Sequence, residues 1–72
     1  AKGSRIALSD AGVGATLLKS AMQGASLNVY INTKSMKDRK RAEELNQLAD
    51  SLREEYEAKA DRIFAEVSSR IR

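Results

Sequence analysis

A chain of 72 residues with no cysteine and no histidine makes one small domain at most, and it excludes a disulfide framework, a thiolate or imidazole metal site and the commonest general base. Three aromatic residues (Tyr30, Tyr56, Phe64) and no proline or tryptophan give little material for a compact core and nothing that forces a break in a long helix. Thirteen Lys and Arg against ten Asp and Glu give a net charge of +3, too slight and too interleaved to define a nucleic-acid binder alone.

At the N-terminus Ile6-Ala-Leu8 runs straight into Ser9-Asp10, so no secretory signal is visible, and no segment approaches the roughly 18 apolar residues of a membrane-spanning helix. The absence of cysteine fits a reducing compartment, or a particle assembled in one. Composition changes near Gly24. Residues 1–26 hold all four glycines and only four charged residues, whereas 27–72 carry nearly all the charge.

In the first part, residues 15–23 are predicted to form a short helix. Leu17 with Ala21 and Leu18 with Met22 are neighbours one turn apart, Asp10 or Thr16 caps the start, and Gly24 supplies the stop. Gly12-Val-Gly14 reads as a bend rather than a phosphate loop, which needs a preceding strand and longer glycine spacing. Residues 26–32 are ambiguous. Leu27, Val29 and Ile31 alternate as in a strand, yet Ser26 as an N-cap with Leu27 and Ile31 stacked one turn apart makes a helix, the reading preferred here.

From residue 27 to 72 a long amphipathic helix is expected, on the order of 65 Å at about 1.5 Å per residue. Leu45, Ala49, Leu52, Tyr56, Ala60, Ile63, Val67 and Ile71 form a stripe spaced by threes and fours, flanked by Leu48 and Phe64. These ten are the candidate packing residues. The stripe drifts from a strict heptad. Pairs such as Arg39–Glu43, Lys40–Glu44, Arg53–Glu57, Glu55–Lys59, Arg62–Glu66 and Glu66–Arg70 lie one turn apart and support the helix. A lone rod cannot bury its own stripe, so a partner is implied. The expected fold is all-α: a short helix, a glycine turn, then one long helix packed in a multimeric assembly.

Lys34, Lys37, Arg39, Lys40 and Arg41 form a basic run, the candidate contact for phosphates or an acidic partner. The plainer reading is a solvated face paired with Glu43 and Glu44, and no interleaved aromatic offers base stacking. A ribbon-helix-helix dimer would need a break between two helices, and no glycine or proline after Gly24 provides one. Asp50, Glu54, Glu55, Glu57 and Asp61 read as solvated charges rather than an acid–base or metal cluster. No catalytic, cofactor-binding or metal-binding residue is assigned, and the chain is expected not to be an enzyme.

Two stretches, Ser4-Arg-Ile-Ala-Leu-Ser-Asp-Ala-Gly-Val-Gly14 and Gly24-Ala-Ser-Leu-Asn-Val-Tyr30, followed by a charged helix ending Ala60-Asp-Arg-Ile-Phe-Ala-Glu66, resemble the smaller internal virion (ejection) proteins of short-tailed bacteriophages. That resemblance implies a segment of a longer protein packed inside the capsid near the portal, with copies of itself and other virion proteins as partners. It would leave with the genome and help build a conduit across the host envelope, with Leu17, Leu18, Met22 and Tyr30 facing either a neighbouring copy or a lipid. A head–tail connector component, or a small nucleic-acid-binding dimer using residues 34–41, are the alternatives.

Overall fold

The computed structural model describes residues 2–72, with side chains from Ile6 onward, so Ser4 and Arg5 of the stretch just quoted have side chains outside the described part. Two helices of 33 residues, α1 (Lys2–Lys34) and α2 (Arg39–Ile71), fold into an antiparallel hairpin measuring 57 × 14 × 13 Å. No strand occurs among the described residues. The protein is all-α, as expected. The boundaries of its helices are not those read from the sequence.

The short helix over 15–23 is part of one helix that starts at Lys2 and passes through Gly12, Gly14 and Gly24 without interruption. No described glycine has positive φ. Glycine permits a helix to end but does not compel it, and here the flanking residues continue the hydrogen-bonded ladder. Residues 27–31 are helical. Ser26 is not an N-cap: it sits mid-helix, 4% exposed, its hydroxyl donating to the Met22 carbonyl at 2.9 Å.

The rod expected over 27–72 is broken at Ser35–Asp38, where the chain reverses. Short polar side chains achieve this without glycine or proline. Asn32 donates to the Asn28 carbonyl and Ser35 to the Asn32 carbonyl, at 2.8 and 3.1 Å, local bonds that compete with helix continuation. Asp38 then adopts an extended conformation (φ −77°, ψ 93°) and accepts from the Arg41 amide at 3.0 Å, the geometry of an N-cap. Arg39 reaches back, its Nη1 lying 2.8, 3.2 and 3.0 Å from the carbonyls of Thr33, Lys34 and Met36. A guanidinium thus satisfies acceptors that the end of α1 leaves open.

The two helices meet along a seam of small side chains. Gly12, Ala15, Ser26 and Thr33 of α1 face Ala42, Ala49, Ala60 and Val67 of α2, all buried. No large side chain among the described residues is fully buried. Small residues let backbones approach closely but bury little apolar area each. The hairpin therefore covers part of the α2 stripe by itself, which corrects the expectation that a rod could not. Most of its bulky side chains remain outside the seam.

Candidate functional site

Along one edge of the seam, α1 and α2 are joined by polar contacts in a single antiparallel register. Nearest the turn, the buried Thr33 hydroxyl donates to Asn46 Oδ1 at 2.6 Å. One turn further, the Tyr30 hydroxyl donates to Asp50. Gln23 Nε2 donates to Glu57 Oε2 at 3.0 Å, and Lys19 Nζ meets Asp61 Oδ1 at 2.8 Å. Arg53 stiffens the middle, with Nη1 2.7 Å from Glu57 Oε1 and Nη2 3.9 Å from Asp50 Oδ1. No buried side-chain polar atom among the described residues lacks a partner.

These contacts set the charge states. Arg53 and Gln23 donate to Glu57 and hold its carboxyl below the usual range. Hydrogen bonding to Asp61, then its charge, raises the Lys19 ammonium above its ordinary value. The same bond, which the Glu57 carboxylate accepts from Arg53, raises the guanidinium above its ordinary value. Glu57 is therefore an anion at neutral pH, suited to stabilising positive charge and not to donating a proton.

Beside the ladder, toward the open end, Phe64 separates two grooves. One, of about 190 Å³, runs between Ser9, Gly12 and Val13 of α1 and Phe64, Val67 and Ser68 of α2. The other, of about 250 Å³, is lined by Ala15, Thr16, Lys19, Ala60, Asp61 and Phe64, so an aromatic ring, a hydroxyl and an ammonium–carboxylate pair share one recess.

The residues singled out from sequence fall in different places. Of the ten packing candidates, Ala49, Ala60 and Val67 lie in the seam and Leu45 and Tyr56 at its margin, while Leu48, Leu52, Ile63, Phe64 and Ile71 are exposed. The basic run sits at the turn. Arg39 caps α1 and is not paired with Glu43, Arg41 meets Glu44 at 3.3 Å, and Lys34, Lys37 and Lys40 are exposed. Asp50, Glu57 and Asp61, read as solvated charges, are the α2 half of the ladder. No cluster able to hold a metal occurs among the described residues.

A helical hairpin closed by small residues, with one polar edge and bulky apolar side chains left outside, is a bundle element rather than a complete globule. Residues 1–51 match the family model described as Formiminotransferase-cyclodeaminase, and the chain belongs to that family. It is 37% identical over 70 residues to a methenyltetrahydrofolate cyclohydrolase of Methylorubrum extorquens, an alignment covering 97% of this chain and 34% of that protein. The chain thus spans about a third of the relative it matches. No solved structure matches it significantly.

This overturns the bacteriophage assignment, and with it the virion location and the connector and nucleic-acid-binding alternatives as accounts of the chain's function. It also overturns the expectation of a non-enzyme, because the family and the relative carry enzyme names. The stretches read as an ejection-protein signature, residues 4–14 and 24–30, lie inside the segment matched by the family model. Among the described residues, no helix is long and apolar enough to cross a membrane.

Proposed function

We propose that this chain is the hairpin portion of an enzyme acting on a one-carbon tetrahydrofolate, of the methenyltetrahydrofolate cyclohydrolase kind. The observation that carries the reading is the 37% identity maintained along 97% of the chain, through both helices and the turn. In such a reaction water adds through oxygen to the methenyl carbon, one carbon–nitrogen bond breaks, and a formyl group stays on the other nitrogen while a proton is released. The substrate carbon carries delocalised positive charge, so fixed carboxylates near it favour binding and orient the attacking water.

The recess at Phe64 supplies the hairpin's share. The ring offers a face for a flat heterocycle, and Asp61, held by Lys19 at 2.8 Å, offers a positioned anion. The test is an assay of the purified full-length protein with methenyltetrahydrofolate, following loss of the methenyl absorbance. Formiminotetrahydrofolate is run in parallel, with ammonia release as the readout. Turnover of the first substrate above the uncatalysed rate, lowered about 10-fold or more in Asp61→Asn, supports the reading. Absence of turnover of both substrates overturns it.

A further inference from the structure

Phe64 is 57% exposed, an aromatic side chain that the hairpin leaves standing between two recesses. The groups in the polar recess beside it lean to one sign. Thr16 lines it, and its hydroxyl donates to the Gly12 carbonyl at 3.1 Å. With that proton committed, the oxygen has only lone pairs to offer a ligand. Asp61 gives Oδ1 to Lys19, and 61% of its side chain stays open to solvent. Lys19 is the one cation lining the recess among the described residues, and Asp61 answers its charge. The ring adds a face whose quadrupole is negative. The balance of the recess therefore favours a bound cation.

We propose that Phe64 is the charge-selecting residue of this recess: its ring face holds a cationic one-carbon unit and discriminates against the same folate carrying a neutral one. The proposal rests on the folate reading above and deepens it, because it names the feature of the substrate that is recognised. In methenyltetrahydrofolate the positive charge is shared across a nitrogen–carbon–nitrogen unit. Adding water and releasing a proton leave a neutral formamide. A cation seated within about 6 Å of an aromatic centroid is attracted by the ring, whereas a neutral amide in the same place is held only by contact. The attraction exists for the substrate and lapses with the reaction, which lets the product leave. Because the charge is fullest before water adds, the ring acts mainly on substrate binding, and its loss raises KM more than it lowers kcat.

The test is made in the full-length protein, with KM for methenyltetrahydrofolate set against the inhibition constant of 5-formyltetrahydrofolate, whose one-carbon unit is neutral. Phe64→Leu removes the ring. Phe64 replaced by pentafluorophenylalanine keeps the ring's shape and apolar area but reverses the charge of its face. Both changes are expected to raise KM about 5-fold, while the inhibition constant moves by less than about 2-fold. Equal losses for the two folates overturn the proposal, since the ring would then supply contact area alone. A fluorinated protein that matches the parent overturns it as well, as does an unchanged KM in both. Absence of turnover in the parent is a separate result, and it removes the folate reading together with this one.

Discussion

Gly12 is where the closeness of the two helices can be tested most directly. A Cβ added there would lie 3.1 Å from Val67 Cγ1 and 3.6 Å from Val67 Cβ, whereas at Gly14 nothing lies within 4 Å. Both glycines are helical, so alanine at either position gains about 1 kcal/mol from reduced backbone entropy in the unfolded chain and better helix propensity. At Gly14 that gain is uncompensated, and for a domain of this size about 1 kcal/mol raises the melting temperature by roughly 4–8 °C. At Gly12 it is opposed. Val67 is 7% exposed and β-branched, with one strongly preferred rotamer in a helix, so the methyl cannot swing aside and α2 must move by a few tenths of an ångström. Overpacking of this kind costs about 1–3 kcal/mol.

Gly12→Ala should therefore fall about 1–3 kcal/mol below Gly14→Ala, leaving its melting temperature at or under that of the parent. The assay is thermal unfolding followed by far-ultraviolet circular dichroism, with Val67→Ala completing a double-mutant cycle. A favourable coupling of about 1 kcal/mol is expected in Gly12→Ala with Val67→Ala, since the smaller residue returns the space. Equal rises for Gly12→Ala and Gly14→Ala would falsify the seam as described.

The ladder makes stability depend on pH at both extremes. Glu57, held below its ordinary 4.5, contributes stability above that value that is lost as pH falls through the folded value; Lys19, raised above 10.5, contributes below that value and loses its contribution as pH rises through the folded one. Glu57→Gln should flatten the acid limb of a stability–pH curve measured by urea unfolding, while leaving the alkaline limb in place. Thr33→Val keeps the shape of a 2% exposed side chain but removes the bond to Asn46, and a loss of about 1–2 kcal/mol in urea unfolding is expected. At the turn, Asp38→Ala should cost about 1 kcal/mol. Arg39→Gln, which withdraws a guanidinium from three carbonyls, should cost roughly the same, with amide exchange at residues 35–38 quickening in both variants.

The all-α class was legible because helix propensity and one-turn pairing run through most of the chain, and Arg53–Glu57, Glu55–Lys59 and Glu66–Arg70 form as their spacing suggests. The reversal was not legible to a reading that allowed only glycine and proline to break a helix. Its signal was Asp38, a strong N-cap residue after a run of Asn, Thr and Ser, and it outweighs an otherwise uninterrupted helical pattern. With the reversal missed, no helix was available to oppose α2. Asp50, Glu57 and Asp61 were left as solvated charges for that reason, and their partners Tyr30, Gln23 and Lys19 become visible only when the antiparallel register is known.

The same omission explains how a stretch of real family sequence came to be assigned to the wrong family. Residues 4–14 and 24–30 stand out as strings because glycine, alanine and serine recur there, and the structure gives two of those residues, Gly12 and Ser26, a packing role in the seam. Close helix packing imposes small residues at helical spacing on any protein that uses it, whatever its chemistry. Such a motif therefore reports an architecture, and many unrelated helical assemblies satisfy it. What separates one family from another here is the alignment of the whole chain, at 37% identity over 70 residues. That longer comparison runs through the seam, the turn and the ladder together.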